Sequence, residues 1–251
     1  MDDPRDHAEP RWGVAMCHGF SGAPSSVAPW AEGLAARGFD VEVPLLPGHG
    51  TDWHDLEDRR WREWTECFEE TCERVAARCD ALFVAGLSMG GAIALRAAAQ
   101  FPVAGIALVN PGLGFYDWRV RYIRAIRLVR RTTNPIDEPA APEPLAGEGD
   151  YSVTPLAAVH ELKRLFRDTD RVLPNVTAPL IAFKSEVDPV VPPSSIRRIL
   201  QRVASHEIEF VPLHASPHVA TRDVEAPLIV ERTAEFFLRC ASAAARPAVG
   251  A

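Results

Sequence analysis

The chain has no long apolar run. No stretch approaches the ~20 apolar residues that a helix needs to cross a bilayer, and Met1 to Arg11 is polar and acidic, unlike an apolar signal segment. A cytoplasmic protein is expected on that ground. Positive charge is not in excess either. A net charge of −7 gives no global attraction to nucleic acid, and no nucleic-acid partner is expected. Cysteines are few and odd in number: Cys17, Cys67, Cys72, Cys79 and Cys240, with no C-x-x-C spacing. That argues against a disulfide framework and a structural zinc site and favours reduced thiols. The eight histidines lack paired ligand spacing, so neither a metal nor another cofactor is expected. No internal repeat is present.

What is there is one domain's worth of alternating apolar strands and helices, 251 residues at 47% hydrophobic. The centre of the pattern is Phe83-Val84-Ala85-Gly86-Leu87-Ser88-Met89-Gly90-Gly91. It reads as a buried strand, a serine with glycines two places to either side, and an Ala- and Leu-rich helix. The G-x-S-x-G spacing suits a nucleophile elbow, a turn so sharp that its neighbours must lack side chains. Around it, Gly13 to Cys17, Val41 to Val43, Val103 to Val109, Leu180 to Lys184 and Glu207 to Leu213 read as strands. Helices are expected after Ser26, over Leu56 to Arg78, over Ser194 to Val203 and over Glu225 to Cys240. Alternation of this kind predicts a mostly parallel sheet covered by helices on both faces. It stops between Gly112 and Ala178, where Asn134 to Asp150 is dense in Pro, Gly and acids. Residues 1–111 and 179–251 therefore read as the core and 112–178 as an insertion. Active sites in such sheets gather at the carboxyl ends of strands, and Ser88, Asp188 and His218 each lie just past a predicted strand end.

Together with His18-Gly19-Phe20 and Gly22, Pro47-Gly48-His49-Gly50, Asp188-Pro189-Val190-Val191-Pro192-Pro193 and His218-Val219-Ala220-Thr221, the elbow makes the chain resemble the α/β-hydrolase superfamily. Within it the resemblance is to bacterial monoacylglycerol lipases and carboxylesterases. It implies an α/β-hydrolase fold with an inserted cap, Ser88 as nucleophile, Asp188 as acid and His218 as base. It also implies an oxyanion hole from the Phe20 and Met89 N–H groups, and a cap at 112–178 over the acyl pocket. The chain order Ser, Asp, His agrees with that fold. The implied activity is cofactor-free hydrolysis of small-molecule or lipid esters with short or medium acyl groups, monoacylglycerols among them. A thioesterase or acyltransferase would use the same triad, and a non-catalytic ligand receptor on this fold is the reading from another class. In the lipases the cap stretch like Tyr151-Ser152-Val153-Thr154-Pro155 carries a glutamate at the second place, near the glycerol group. Ser152 stands there in this chain, which leans the reading toward a broader carboxylesterase.

Rivals exist for each role. His214 lies nearer its strand end than His218. Glu186 shares a loop with Asp188, and Asp117 follows the strand ending at Val109. Ser21, Ser25 and Ser26 read as turn and cap residues, Cys17 as a small core residue, and His18 and His49 as braces in glycine loops. The cap opens on Trp118 to Arg131, in which Trp118, Tyr122, Ala125, Ile126 and Val129 fall on one helical stripe among six arginines. One reading packs that stripe on the core, with the arginines solvated or paired with Asp137, Glu138, Glu143 and Glu148. The sharper one sets the segment weakly against an anionic membrane surface. The oligomeric state is not legible in the sequence.

Overall fold

The computed structural model describes residues 10–135 and 151–244. Six strands, β1 (Trp12–Cys17), β2 (Phe39–Glu42), β3 (Ala81–Leu87), β4 (Gly105–Val109), β7 (Leu180–Ser185) and β8 (Ile208–Leu213), form one sheet in the order β2-β1-β3-β4-β7-β8. Every pairing in it is parallel. The inner strands are buried on both faces, which is why β3 and β4 read as continuous apolar runs and not as alternating ones. Two thin strands, β5 (Thr132–Thr133) and β6 (Thr154–Pro155), pair apart from this sheet.

Helices cover both faces. Phe83, Ala85 and Leu87 of β3 point toward α1 (Ala28–Ala35) and α8 (Ala226–Ala244), while Leu82 and Val84 point toward α3 (Trp61–Ala76) and α4 (Met89–Ala98). On the first face the Phe83 and Phe237 rings stack at 4.4 Å between centroids, a contact worth ~0.5–1.5 kcal/mol beyond the area it buries. On the second face Trp61, Trp64, Phe68, Cys72 and Val75 of α3 are buried, the inner stripe of an amphipathic helix.

The single helix expected over Leu56 to Arg78 is two, α2 (Trp53–Asp58) and α3. Asp52 caps the first by accepting the His54 N–H at 2.7 Å. Arg59 and Arg60 are extended, with ψ of 154° and 146°. Glu63 then accepts the Arg60 N–H at 2.7 Å, so a new helix starts at Trp61.

The inserted region holds more helix than its sequence suggested. A 3-10 turn (Trp118–Tyr122) leads into α5 (Ile123–Ile126), and α6 (Leu156–Val172) follows β6. The inner face of α6, with Ala158, Leu162, Leu165 and Phe166, belongs to the same core as α3 and α4. Ile123, Leu156 and Val159 make a small separate cluster with Val120 and Ile126. Of the expected stripe of Trp118, Tyr122, Ala125, Ile126 and Val129, Ile126 packs on this cluster, but Trp118, Tyr122 and Val129 are exposed, Val129 by 90%. The reason is local geometry. A 3-10 start aligns residues three apart, so Val120 and Ile123 turn inward with Ile126. Most of the Asn134 to Asp150 stretch, with Asp137, Glu138, Glu143 and Glu148, lies outside the described residues. Before α8 come α7 (Pro193–Arg202) and a 3-10 turn (Ala220–Arg222).

Candidate active site

Ser88 joins β3 to α4 with φ 56° and ψ −118°. A left-handed φ on a non-glycine residue costs on the order of 1–3 kcal/mol, and the surroundings hold it there. Its N–H donates to Val109 O at 3.0 Å, and its carbonyl accepts from Gly91 N at 3.0 Å and Gly112 N at 2.9 Å. The flanking glycines are sterically required. A Cβ on Gly86 would sit 2.3 Å from the Gly90 carbonyl, and one on Gly90 would sit 2.2 Å from Cys17 O and 2.5 Å from His18 O. The elbow is thus wedged against the end of β1.

The loop after β1 passes over the serine: a Cβ on Gly19 would lie 3.5 Å from Ser88 Cβ. His18 is fully buried beneath this loop. Its Nδ1 lies 2.9 Å from Gly19 O, and its Nε2 accepts the Leu46 N–H at 3.2 Å. His49 packs edge-on to His18, Phe20 and Trp64, and Trp64 Nε1 donates to Pro47 O at 3.1 Å. Burial brings the His18 pKa down to about 4 and, with His18 beside it, that of His49 to about 3. Both rings are neutral braces: His18 bonds within the loop that passes over Ser88 and to Leu46, and His49 packs against the Phe20 ring. Met89 opens α4, so its N–H is one of the first-turn amides without an intrahelical acceptor.

Asp188 and His218 come together. His218 Nδ1 lies 3.0 Å from Asp188 Oδ1, and both side chains are nearly buried. Oδ1 also accepts the N–H groups of Val190 at 2.8 Å and Val191 at 3.0 Å. The other carboxylate oxygen is ion-paired with Lys184, a lysine only 5% exposed. Lys184 Nζ donates further to Val191 O at 2.9 Å. Burial works to raise the Asp188 pKa, but the His218 hydrogen bond and the Lys184 charge outweigh it and bring the carboxyl to about 2. Burial lowers the Lys184 pKa, and Asp188 opposes that shift.

Asn110 ties these parts to the elbow. It follows β4 with φ 45°, is fully buried, and neighbours Val109, which accepts the Ser88 N–H. Its Nδ2 donates to His218 O at 2.8 Å and its Oδ1 accepts the Ser185 N–H at 2.8 Å. One side chain therefore links the strand ends that carry the serine, the acid loop and the histidine loop. Glu225 fixes the histidine loop from below by accepting three successive N–H groups, those of His214, Ala215 and Ser216. Sequence reasoning passed over Asn110 and Lys184. The signal for Lys184 was a charge closing an otherwise apolar parallel strand, a place where lysine is rare unless paired.

The rival residues lie elsewhere. His214 is exposed and meets Glu186 at 3.0 Å, and that carboxylate raises its pKa. Asp117 caps the 3-10 turn Trp118–Tyr122 by accepting the Arg119 N–H at 2.9 Å. Ser21 and Ser26 donate to the carbonyls of Phe20 and Ala23, and Ser25 sits in the 3-10 turn Pro24–Val27. Cys17 is buried, which pushes its thiol pKa well up and suppresses the reactive thiolate. A cleft of about 430 Å³ runs between Phe115, Val120, Ile123 and Ile126 and the Pro189-Val190 step of the acid loop, with Asp117, Arg119 and Arg130 also in its lining. Its volume is within the range of small-molecule sites. Among the described residues no group of three or more His, Cys, Asp or Glu is placed to hold a metal. No described helix is long and apolar enough to cross a membrane.

Residues 14–229 match the model of a family described as the alpha/beta hydrolase family. The thermostable monoacylglycerol lipase of Bacillus sp. (strain H-257) is 36% identical over 228 residues, which is 90% of this chain and 90% of that protein. Among solved structures, one from work on the metagenome-derived lipolytic enzymes LipS and LipT superposes with a TM-score of 0.85 at 34% identity, covering 92% of this chain and 94% of that one. A soluble variant of monoglyceride lipase from Saccharomyces cerevisiae, in complex with a substrate analogue, gives a TM-score of 0.72 at 14% identity over 94% of this chain and 88% of its own. That last likeness speaks to the fold alone.

Proposed function

The chain belongs to the alpha/beta hydrolase family and is a carboxylic ester hydrolase, and we propose that it works through Ser88, His218 and Asp188 by way of an acyl-enzyme. The observation that carries this reading is the 3.0 Å approach of His218 Nδ1 to Asp188 Oδ1, at the strand-end edge over which the elbow presents Ser88. A serine hydroxyl needs a base. The Asp188 contact favours the tautomer that keeps the proton on Nδ1 and leaves Nε2 to take the one from Ser88. The Phe20 and Met89 N–H groups receive the developing oxyanion, aided by the positive end of α4. His218 then protonates the leaving alcohol, and water releases the acid.

The proposed substrates are monoacylglycerols and other esters of short or medium acyl chains, supported by the identity to a monoacylglycerol lipase. The region 112–178 is proposed to cover the acyl site, with the cleft beside Pro189 and Val190 as part of it. Tyr151 anchors this region by donating from its hydroxyl to Gly48 O at 2.8 Å. Ser152, next to it, is exposed and offers no carboxylate to a glycerol hydroxyl, which favours a broad alcohol range. The exposed Trp118, Tyr122, Leu128 and Val129 among the cap arginines support weak contact with a lipid surface. Five unpaired thiols suit the reducing cytoplasm.

The test is labelling by a fluorophosphonate probe together with a panel crossing acyl length with alcohol group. Wild type should label and hydrolyse. Ser88→Ala should neither label nor retain more than about a millionth of kcat. Turnover near wild type in a clean Ser88→Ala preparation would refute the assignment. A flat response to the alcohol group across the panel is the outcome expected from Ser152.

A further inference from the structure

The cap carries a second groove, on a side of the 3-10 turn and α5 other than the cleft beside Pro189 and Val190. Its walls are two rows of basic side chains. Arg121, Arg124 and Arg127 stand three residues apart, the spacing that a 3-10 start aligns. Across from them α6 presents His160, Lys163, Arg164 and Arg167, one outward row of that helix. The groove between the rows measures about 480 Å³, a volume typical of small-molecule sites. We propose that this groove is a binding site for a phosphate group, either free as in inorganic or organic phosphates or borne on a lipid headgroup.

The groove gathers basic side chains in one concavity with little matching acid among the described residues. Elsewhere the arginines are largely matched with acids: Arg59 with Asp55, Arg78 with Asp40, Arg96 with Asp168, Arg131 with Glu57, Arg198 with Asp170 and Arg232 with Glu209. Among the described residues the lining of the groove holds no carboxylate; of the acids next to it on α6, Glu161 is paired with Arg164 and Asp168 with Arg96. Among the described residues Arg121, Arg124, Arg127 and Arg167 have no carboxylate at ion-pair distance. A chain of net charge −7 thus leaves, among the described residues, a cationic patch without a matching acid in a concave place, where field lines from the walls add.

The groove is also partly ordered in advance. Lys163 Nζ donates to Val120 O at 2.9 Å and Arg121 O at 2.7 Å, so its charge is fixed in place. Burial, then the neighbouring Arg167 and Arg121, lower the Lys163 pKa, which records the mutual repulsion of these charges. Arg127 Nε and His160 Nδ1 are buried without a hydrogen-bond partner among the described residues, a cost that a ligand oxygen would relieve. Several planar guanidinium forks around one concavity suit a tetrahedral dianion with its several oxygens. A lone carboxylate would need one fork.

The groove is tested apart from the ester chemistry. Pyrophosphate is titrated into the full chain at constant ionic strength, against chloride, with Tm and calorimetric heat as readouts. A saturable Tm rise is expected with wild type, and about a tenfold or greater loss of affinity in each of Arg124→Gln and Arg127→Gln, the yield of one charged hydrogen bond. Arg127→Lys, which keeps the charge and loses the fork, should fall between. Turnover of a soluble butyrate ester should be unchanged in all three, so failure here and failure of the triad are distinguishable. Sedimentation with phosphatidylglycerol vesicles separates the two sources. If pyrophosphate displaces wild type from vesicles and the glutamine variants bind them more weakly, the phosphate is a headgroup. If vesicle binding ignores both, the ligand is a free phosphate. The absence of a saturable pyrophosphate effect, or an effect undiminished in Arg124→Gln/Arg127→Gln, overturns the proposal.

Discussion

Replacing Lys184 by methionine keeps the aliphatic stem and removes a buried charge from the back of Asp188. The lysine touches one carboxylate oxygen, and His218 stands 3.0 Å from the other, so the ammonium and the ring are separated by the width of a carboxylate plus two contacts. Taking that as ~7 Å, with an effective dielectric of ~20, the ammonium and an imidazolium repel by ~2 kcal/mol. In the variant that repulsion is gone, and the protonated ring is easier to form. If His218 is the base proposed above, which must be neutral to act, the acid limb of kcat/KM should move to higher pH. Asp188, held at about 2, can rise by more than a unit and still be ionised where the enzyme works, so the proposed role of the carboxylate is kept. Stability should fall as well, because one partner of a buried pair is lost. The loss should lie below the ~3–5 kcal/mol of a fully stranded charge, since His218 and two backbone N–H groups still hold the carboxylate. The assay is kcat/KM on a soluble ester from pH 5 to 9, with circular dichroism to show a folded variant and Lys184→Gln as a second substitution. An acid limb that stays within a few tenths of a unit in both folded variants would refute the coupling.

Three further outcomes follow from the geometry. Gly90→Ala should abolish activity and lower Tm by several degrees, because its Cβ would meet backbone at 2.2 Å, and a variant of unchanged Tm would mean that the elbow is not wedged as described. His18 and His49, buried with pKa values of about 4 and about 3, bind protons less readily than the unfolded chain. Their contribution is therefore full above the ordinary histidine value of ~6.5 and lost as pH falls toward ~4 and ~3, about 2 kcal/mol for each ring by pH 5, and a urea midpoint equal at pH 7.5 and 5 would count against it. If the cap's exposed apolar residues contact lipid, wild type should cosediment with anionic vesicles at low salt and less at high salt, Trp118→Ser/Val129→Ser should bind less, and wild type left in the supernatant at low salt would show that these residues serve another end.

What could be read without a structure follows the physics of each signal. The parallel sheet was legible because strands buried on both faces are apolar throughout, as Phe83-Val84-Ala85 and Leu180-Ile181-Ala182-Phe183 are. The elbow was legible because its geometry forbids side chains at Gly86 and Gly90, and a steric rule leaves its mark in residue type. Helix breaks were harder. The interruption at Arg59-Arg60 uses neither Pro nor Gly, and a glutamate three residues on restarts the helix by a bond that composition does not reveal. Packing direction on a short segment was harder still: Trp118 to Arg131 supports an apolar stripe at 3.6 residues per turn, but its first turn is 3-10, and one change of pitch moves Val120 and Ile123 inward and leaves Trp118 and Tyr122 outside. Asn110 and Lys184 lie beyond any periodicity, because each acts through partners more than seventy residues away or across a turn. Asn110 reaches His218 over 108 positions. What the sequence does hold is an energetic oddity, a lysine and an asparagine closing apolar strands in a buried sheet. Burying such groups is costly unless they are bonded, so a polar residue at the carboxyl end of a central parallel strand is itself a pointer toward the site, even when its partner cannot be named.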